Sequence, residues 1–305
     1  MATGKLYPAY STMPPHGSAA VASARSIGMS KDVIVVIGAG GIGVAIARRQ
    51  AFGKILLLAD WNAQTLASAA ASLSEAGYDV VTQQVDVSQR ASVRALADAA
   101  AAMGRVVQLV NTAGLSPNMA PVDQVFAVDL YGSALVFEVF RAIIAPGGAA
   151  LIIASMAGHM LPALTAEQDN ALAFTAADDL LALPFLQRDA VPDSMVAYMM
   201  AKRANSLRVQ AEAVLWGERG ARVNAISPGI VVTPLAQHEM NSDIGDLYRG
   251  MVAASPAGRM APPEEIAVAA NFLLGPDAGF ITGSDLLIDG GVIAAMRAGK
   301  MPAPA

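Results

Sequence analysis

The stretch VIVVIGAGGIGVAIARRQAF, residues 33–52, decides how the rest of the chain is read. Five β-branched residues, Val33–Ile37, give a strand buried on both faces. Gly38, Gly40 and Gly43 then satisfy GxGxxG, and Ile42–Phe52 reads as the helix that follows. Missing side chains at these glycines permit a tight turn, close approach of a pyrophosphate and close helix–strand packing. The helix N-terminus, reached through Gly41 and Ile42, then faces the anion. Asp60 ends the next apolar run, Ile55–Ala59, twenty residues after Gly40. There a carboxylate accepts from both ribose hydroxyls of an adenosine and repels a 2′-phosphate. Strand, turn, helix, strand and acid together point to dinucleotide binding, with NAD favoured over NADP and Trp61 beside the adenosine.

Outward from this unit the alternation continues. Strands are expected at Val80–Val85, Val106–Asn111, Ala149–Ala154, Ala221–Ile226 and Ser284–Ile288. Helices are expected from Asn62, as a cap, to Glu75, after Ser88 as a cap, over Asp123–Ala145 and over Val196–Gly217, with Pro146-Gly147-Gly148 stopping the third of these. The pattern is α/β: one doubly wound parallel sheet with helices on both faces, in a single domain. The domain is expected over 32–291, after a Ser-, Ala-, Pro- and Gly-rich tail over 1–31 and before a tail over 292–305. Two segments break the alternation. Met160–Ser194 has mixed character, and residues 235–260 read as a flexible cover.

Composition narrows the functional classes. The 305 residues are 54% hydrophobic and 15% charged, which excludes a disordered chain. A net charge of −5 and no basic cluster argue against nucleic acid. Cysteine is absent, and His16, His159 and His238 are scattered, so neither disulfides nor a metal site is expected. No apolar run is long enough to span a bilayer, and no export signal is read, so a cytoplasmic location is expected.

Tyr198 and Lys202 stand four apart on a predicted helix, so both side chains leave one face. An ammonium beside a phenol favours the phenolate and gives a proton donor and acceptor usable near neutral pH.

Here the sequence resembles the short-chain dehydrogenase/reductase family, over about residues 32–291. Gly38–Gly43 looks like its cofactor turn and Asp86-Val87 like its adenine-contacting pair. Asn111-Thr112-Ala113-Gly114 is similar to the motif closing the fourth strand. Ser155 in Ser155-Met156-Ala157-Gly158 matches the catalytic serine, and Tyr198-Met199-Met200-Ala201-Lys202 matches YxxxK. Arg222–Gly229 matches the segment leading to the nicotinamide through Pro228 and Gly229, with Val231 and Thr233 at the carboxamide positions. Ile281-Thr282-Gly283 through Gly291 matches the C-terminal motif. The resemblance implies that Asn111, Ala113 and Gly114 line the cofactor. It also implies that Ser155 steadies the substrate oxygen, Tyr198 exchanges the hydroxyl proton, and Lys202 binds the nicotinamide ribose and tunes Tyr198. The implied activity is hydride transfer between a secondary alcohol or ketone and NAD. An epimerase of the same kind and a non-catalytic NAD sensor are the alternatives. A homotetramer or homodimer is implied, often through pairing of the two long helices.

Three departures from the family pattern stand out. The glycine turn is one residue shorter than GxxxGxG. Asp129 replaces the asparagine that holds a proton-relay water; it is counted with the catalytic group, since it can accept from that water and its charge would act on Lys202. The spacing from Ser155 to Tyr198 is far longer than is typical. The extra segment is expected to hold helix within Gln168–Leu183 and to border the substrate mouth, with a surface embellishment or subunit contact as the alternative. Its Leu161, Leu164, Phe174, Leu180, Leu181, Leu183, Phe185 and Leu186 point to a bulky apolar substrate.

Overall fold

The computed structural model describes residues 31–118, 120–242 and 244–301. Seven strands form one sheet: β1 (Asp32–Ile37), β2 (Ile55–Asp60), β3 (Asp79–Gln84), β4 (Arg105–Asn111), β5 (Ile144–Ile153), β6 (Arg222–Pro228) and β7 (Asp285–Ile288). They lie in the order β3-β2-β1-β4-β5-β6-β7, and every neighbouring pair is parallel. The order reverses between β1 and β4, so the carboxyl ends of these strands open a crevice, the usual ligand site of such sheets.

Side chains alternate across the sheet. Val33, Val35, Ile37 and Leu57 join the core on one face; Ile34, Val36, Leu56 and Leu58 join the core on the other. Helix α1 (Gly41–Gln50) follows the glycine turn and packs beside α12 (Pro263–Leu274), a helix the sequence reading did not include. Asn62 caps α2 (Ala63–Glu75) as expected, accepting from the Gln64 and Thr65 amides. Ser88 does not cap α3 (Arg90–Met103); Gln89 holds that position without a side-chain bond, while Ser88 donates to Asp86.

The long third helix ends earlier than expected. Helix α4 (Val122–Val125) runs into a π-helical segment, Phe126–Gly132, and on into α5 (Ser133–Arg141). Pro146-Gly147-Gly148 lies within β5, where it makes a bulge: pairing jumps from Val106↔Ile144 to Gln108↔Ala149. The parallel ladder resumes after the bulge, and Gly147 supplies the positive φ of +80°.

The insertion is helical, as expected. After α6 (Ala157–Met160) it holds α7 (Ala166–Phe174), α8 (Ala177–Leu180) and a 3₁₀ turn at Pro184–Leu186, before α9 (Ser194–Gly217). A capping box between Thr165 and Gln168 starts α7. Helix α7 packs on α9, and α8 on α5. Arg203 pairs with Asp169 at 2.9 Å. Arg208 donates to the Leu172 and Thr175 carbonyls at 3.0 and 2.6 Å, and Arg90 pairs with Asp178 at 2.9 Å. Leu180 and Leu186 are core residues, and Leu161, Leu164, Leu183 and Phe185 pack against that core. These six side chains hold the insertion to the body, while Phe174 and Leu181 of the same segment are exposed.

Residues 235–260, read as a flexible cover, contain helix. They form α10 (Pro234–Met240) and α11 (Gly245–Ala254). With α13 (Val292–Arg297) they build a third, smaller core around Met156, Ile230, Ala236, Met251, Val292 and Ile293. The expected C-terminal tail is therefore structured at 292–297. The expected N-terminal tail lies outside the described residues, apart from Lys31. Among the described residues no helix is long and apolar enough to cross a membrane.

Candidate active site

Gly38 turns the chain at φ +99°, left-handed backbone that favours glycine, and a Cβ there would run into the Thr112 hydroxyl. A Cβ on Gly43 would overlap the Gly38 carbonyl oxygen, so α1 packs directly on the turn. A Cβ on Gly40 would meet nothing within 4 Å. The space over Gly40 is open, and the first turn of α1, with Gly41, Ile42 and Gly43, has no side-chain cap. Its amides are left for an anion. This cradle fits a dinucleotide diphosphate even with one residue fewer than the common form.

Asp60, at the end of β2, accepts from the Ala39 amide at 2.7 Å and from the Asn62 amide at 2.8 Å. Both bonds aim its carboxylate at the glycine turn, and further lone pairs remain for a ribose diol. Trp61 beside it is 69% exposed, a free ring surface at the rim. Val87 is buried against Gly132, while Asp86 is exposed and accepts from the Ser88 amide and hydroxyl. Asn111 is buried and accepts from the Ala113 amide at 3.2 Å. Gly114 lies against two of the candidate catalytic residues: a Cβ there would sit 2.6 Å from Asp129 Oδ1 and 3.1 Å from Lys202 Nζ. Across the crevice, Gly229 packs on Asp289 and Pro228 accepts from the Met156 amide at 2.8 Å. Val231 bridges to Ala261. Thr233 caps α10 and lies against Gly41. All the expected cofactor residues thus gather at the carboxyl edge of the sheet or on the loops leaving it.

The catalytic candidates meet at the same edge. Ser155 follows β5 and accepts from the Ala157 amide at 3.1 Å. Gly158 lets α6 touch the α9 backbone at Lys202 and Arg203, which brings Ser155 within hydrogen-bonding reach of Tyr198. Lys202 Nζ is 5.3 Å from the centre of the Tyr198 ring. Asp129 is fully buried in the π-helical segment. Its Oδ1 is 2.8 Å from Lys202 Nζ, and its Oδ2 accepts from the Leu115 amide at 3.0 Å. The widened turn pushes residue 129 toward the site, a common use of π geometry.

The electrostatics follow from this packing. Burial pushes the Tyr198 phenol up; Lys202 pulls it down, Asp129 pushes it up again, the Ser155 hydroxyl lowers it and Glu239 raises it, leaving it above the usual tyrosine range. Burial disfavours the Lys202 ammonium, but Asp129 and Tyr198 together outweigh burial and hold its proton more firmly than in a free lysine. Burial also raises Asp129, against the pull of Lys202.

Sequence reasoning missed three contributors. Thr112 donates to the Ile37 and Gly38 carbonyls and braces the glycine turn; its place inside Asn111–Gly114 was the only signal. Glu239, buried on α10, accepts from Ser116 Oγ at 2.5 Å. Tyr248, on α11, lies beside Glu239, and burial and that carboxylate raise its phenol. Nothing in the sequence pairs 116 with 239. Among the described residues no group of three His, Asp or Glu side chains could hold a metal ion.

Residues 32–166 match the family model described as short chain dehydrogenase, and residues 173–293 match one described as enoyl-(acyl carrier protein) reductase. The break between them falls within α7. The chain is 38% identical over 272 residues to the short-chain dehydrogenase/reductase bsc3 of Alternaria brassicicola, covering 87% of this chain and 97% of that one. It is 34% identical over 276 residues to the D-threitol dehydrogenase of Mycolicibacterium smegmatis, covering 86% and 92%. The crystal structure of levodione reductase superimposes with a TM-score of 0.69 at 26% identity, covering 88% of this chain and 99% of that one. The chain belongs to the short-chain dehydrogenase/reductase family of oxidoreductases, whose members use nicotinamide cofactors.

Proposed function

We propose that the protein is an NAD-dependent oxidoreductase interconverting a secondary alcohol and its ketone, with Tyr198 as general acid/base. The observation that carries this reading is the convergence of Ser155, Tyr198 and Lys202 at the sheet edge that also holds the open glycine turn and Asp60. The bound nicotinamide supplies the hydride acceptor or donor. Ser155 donates to the substrate oxygen and fixes it beside the Tyr198 hydroxyl. In oxidation Tyr198 accepts the carbinol proton; in reduction it returns one. Lys202 stabilises the phenolate, and Asp129 keeps Lys202 charged. The Leu115 amide and Lys202 fix the Asp129 carboxylate, which accepts from the relay water that an asparagine otherwise holds.

Cofactor choice rests on Asp60, whose carboxylate accepts from a free ribose diol and repels a 2′-phosphate. The test is oxidation of a panel of secondary alcohols with NAD and NADP in parallel, read by absorbance of the reduced cofactor. We expect turnover with NAD and a marked preference over NADP that Asp60→Ala narrows. Equal efficiency with both cofactors would sink the assignment of Asp60. We also propose a homo-oligomer, a tetramer ahead of a dimer; a monomeric mass by light scattering at micromolar concentration would refute it.

A further inference from the structure

The turn that follows Ser155 is short and supports itself poorly. Helix α6 is a single turn without a side-chain cap, and one turn fixes several backbone angles for few hydrogen bonds. The insertion leaves from its far end, so α9 is not its neighbour in the chain. Three contacts hold the turn from outside. The Met156 amide donates to the Pro228 carbonyl at 2.8 Å, Gly158 rests on the α9 backbone at Lys202 and Arg203, and His159 Nε2 lies 2.9 Å from Asp285 Oδ2 on β7. The third contact is made by side chains largely closed to water, 22% exposed at His159 and 11% at Asp285. Asp285 is itself fixed by the sheet, where it opens the β6–β7 ladder opposite Ala225. Ser227, fully buried on β6, donates to the same carboxylate at 2.8 Å. Burial pushes the Asp285 carboxyl up, but hydrogen bonds from His159, Ser206 and Ser227 outweigh burial and hold it below the usual carboxylate range. An ionised carboxylate has acceptor positions for all three donors, so Nε2 of His159 donates. Neither His159 nor Asp285 has a part in the reaction outlined above.

We propose that His159 is a positioning residue: held by Asp285, its ring pins α6 to the sheet and so fixes the Ser155 hydroxyl where it meets the substrate oxygen. His159 stands four residues after Ser155, about one helical turn away, so movement at the ring end of the turn tilts the serine end. A hydrogen bond aimed at developing charge tolerates little movement, and a misplacement of about 1 Å can cost about 10²-fold in rate. The Asp285 carboxylate gathers side chains from the elements that lead into the site: His159 from α6, Ser206 from α9 one turn beyond Lys202, and Ser227 from the end of β6. Losing the ring leaves Asp285 short of a donor and α6 without its tie to β7. This inference rests on the oxidoreductase reading above and deepens it by naming what holds the serine in place.

The test uses the full chain, saturating NAD and the best secondary alcohol of the panel. Turnover is expressed per NAD-binding site, counted by fluorescence titration, so that misfolded protein does not enter the rate. His159→Leu removes the donor and keeps an apolar side chain of similar reach; kcat per site should fall by about tenfold to a hundredfold, with NAD affinity near wild type. His159→Gln places an amide donor where Nε2 stands, and most of the lost rate should return. In a Ser155→Ala background the leucine exchange should cost no more than about twofold, because the group it positions is already gone. If the leucine variant binds no NAD, Asp285→Asn replaces it: one acceptor oxygen then serves three donors, and kcat per site should fall severalfold. A kcat per site within about twofold of wild type in the leucine variant or, in its place, the asparagine variant would overturn the assignment while leaving the oxidoreductase reading intact. So would a glutamine variant as slow as the leucine variant, or a full further loss in the Ser155→Ala background. A wild type that oxidises no alcohol of the panel would overturn both.

Discussion

The two sides of the crevice are built from different materials. The nucleotide side is packed from branched side chains at zero exposure, Val33–Ile37 on β1 and Leu56–Leu58 on β2. The cover side is a small core in which Met156 and Met251 are buried and Met160, Met240, Met260, Met296 and Met301 pack around them. β-branched residues have few rotamers, and methionine has many. The first side therefore holds one fixed shape, and the second can repack at lower cost. Tyr198 packs on the body's core beside Lys202 and Asp129, and the seam with the cover begins at Met156, next to Ser155.

The largest effect should come beside that seam. Tyr198→Phe keeps the ring and its packing and removes only the proton-carrying oxygen. Turnover should fall by about 10²–10⁴ while cofactor affinity, measured by fluorescence titration, stays near wild type. A variant with half the original kcat would show that another group carries the proton.

Next come the glycines, which separate fold from ligand within the rigid side. Gly43→Ala would drive a methyl into the Gly38 carbonyl, so a stability loss of about 2–4 kcal/mol is expected in urea unfolding. Gly40→Ala meets nothing in the protein, so its midpoint should hold while cofactor affinity drops, because the methyl occupies the space over the turn. Equal stability of the two variants would mean that the turn is not packed as described.

A smaller effect is expected at Asp129. Its charge raises the Tyr198 phenol, and alcohol oxidation needs the phenolate. Asp129→Asn removes that charge with little change of shape. The ascending limb of kcat/KM against pH should therefore move to lower pH, by up to about one unit, as a property of the coupled Tyr198–Lys202–Asp129 set. Overlapping profiles for the two proteins would remove Asp129 from the electrostatics.

The smallest effect belongs to the cover. Met251→Leu keeps volume and apolarity, and a well-used methionine tolerates the exchange at a cost below about 1.5 kcal/mol. The consequence should appear in function: a stiffer cover should narrow the range of alcohols accepted. An unchanged substrate range would mean that the methionines act only as filler.

Some of this was legible in the chain because its physics is local. Val33–Gly43 specifies strand, turn and helix through adjacent residues, and Asp60 falls at the next strand end by the length of one βαβ step. Tyr198 and Lys202 share a face because the helix repeat puts them there. That the strands make one doubly wound parallel sheet follows from the alternation of runs; their order came only with the structure.

Other features were settled only when distant segments met. Pro146-Gly147-Gly148 reads as a helix stop, yet pairing with β4 absorbs it as a bulge inside β5, since ladder bonds on either side outweigh the local turn preference. Which apolar residues of the insertion face the body is also not written in the sequence: Leu180 and Leu186 join the core, Phe174 and Leu181 stay exposed, and Arg203, Arg208 and Arg90 tie the segment down. The π geometry at Asp129 is stabilised by Lys202 and the Leu115 amide, neither adjacent in sequence. Ser116 and Glu239 lie 123 positions apart and share one hydrogen bond. Sequence periodicity reports which face of an element is apolar; it carries no record of which polar side chain across the crevice completes a buried charge, and that partner exists only in the folded chain.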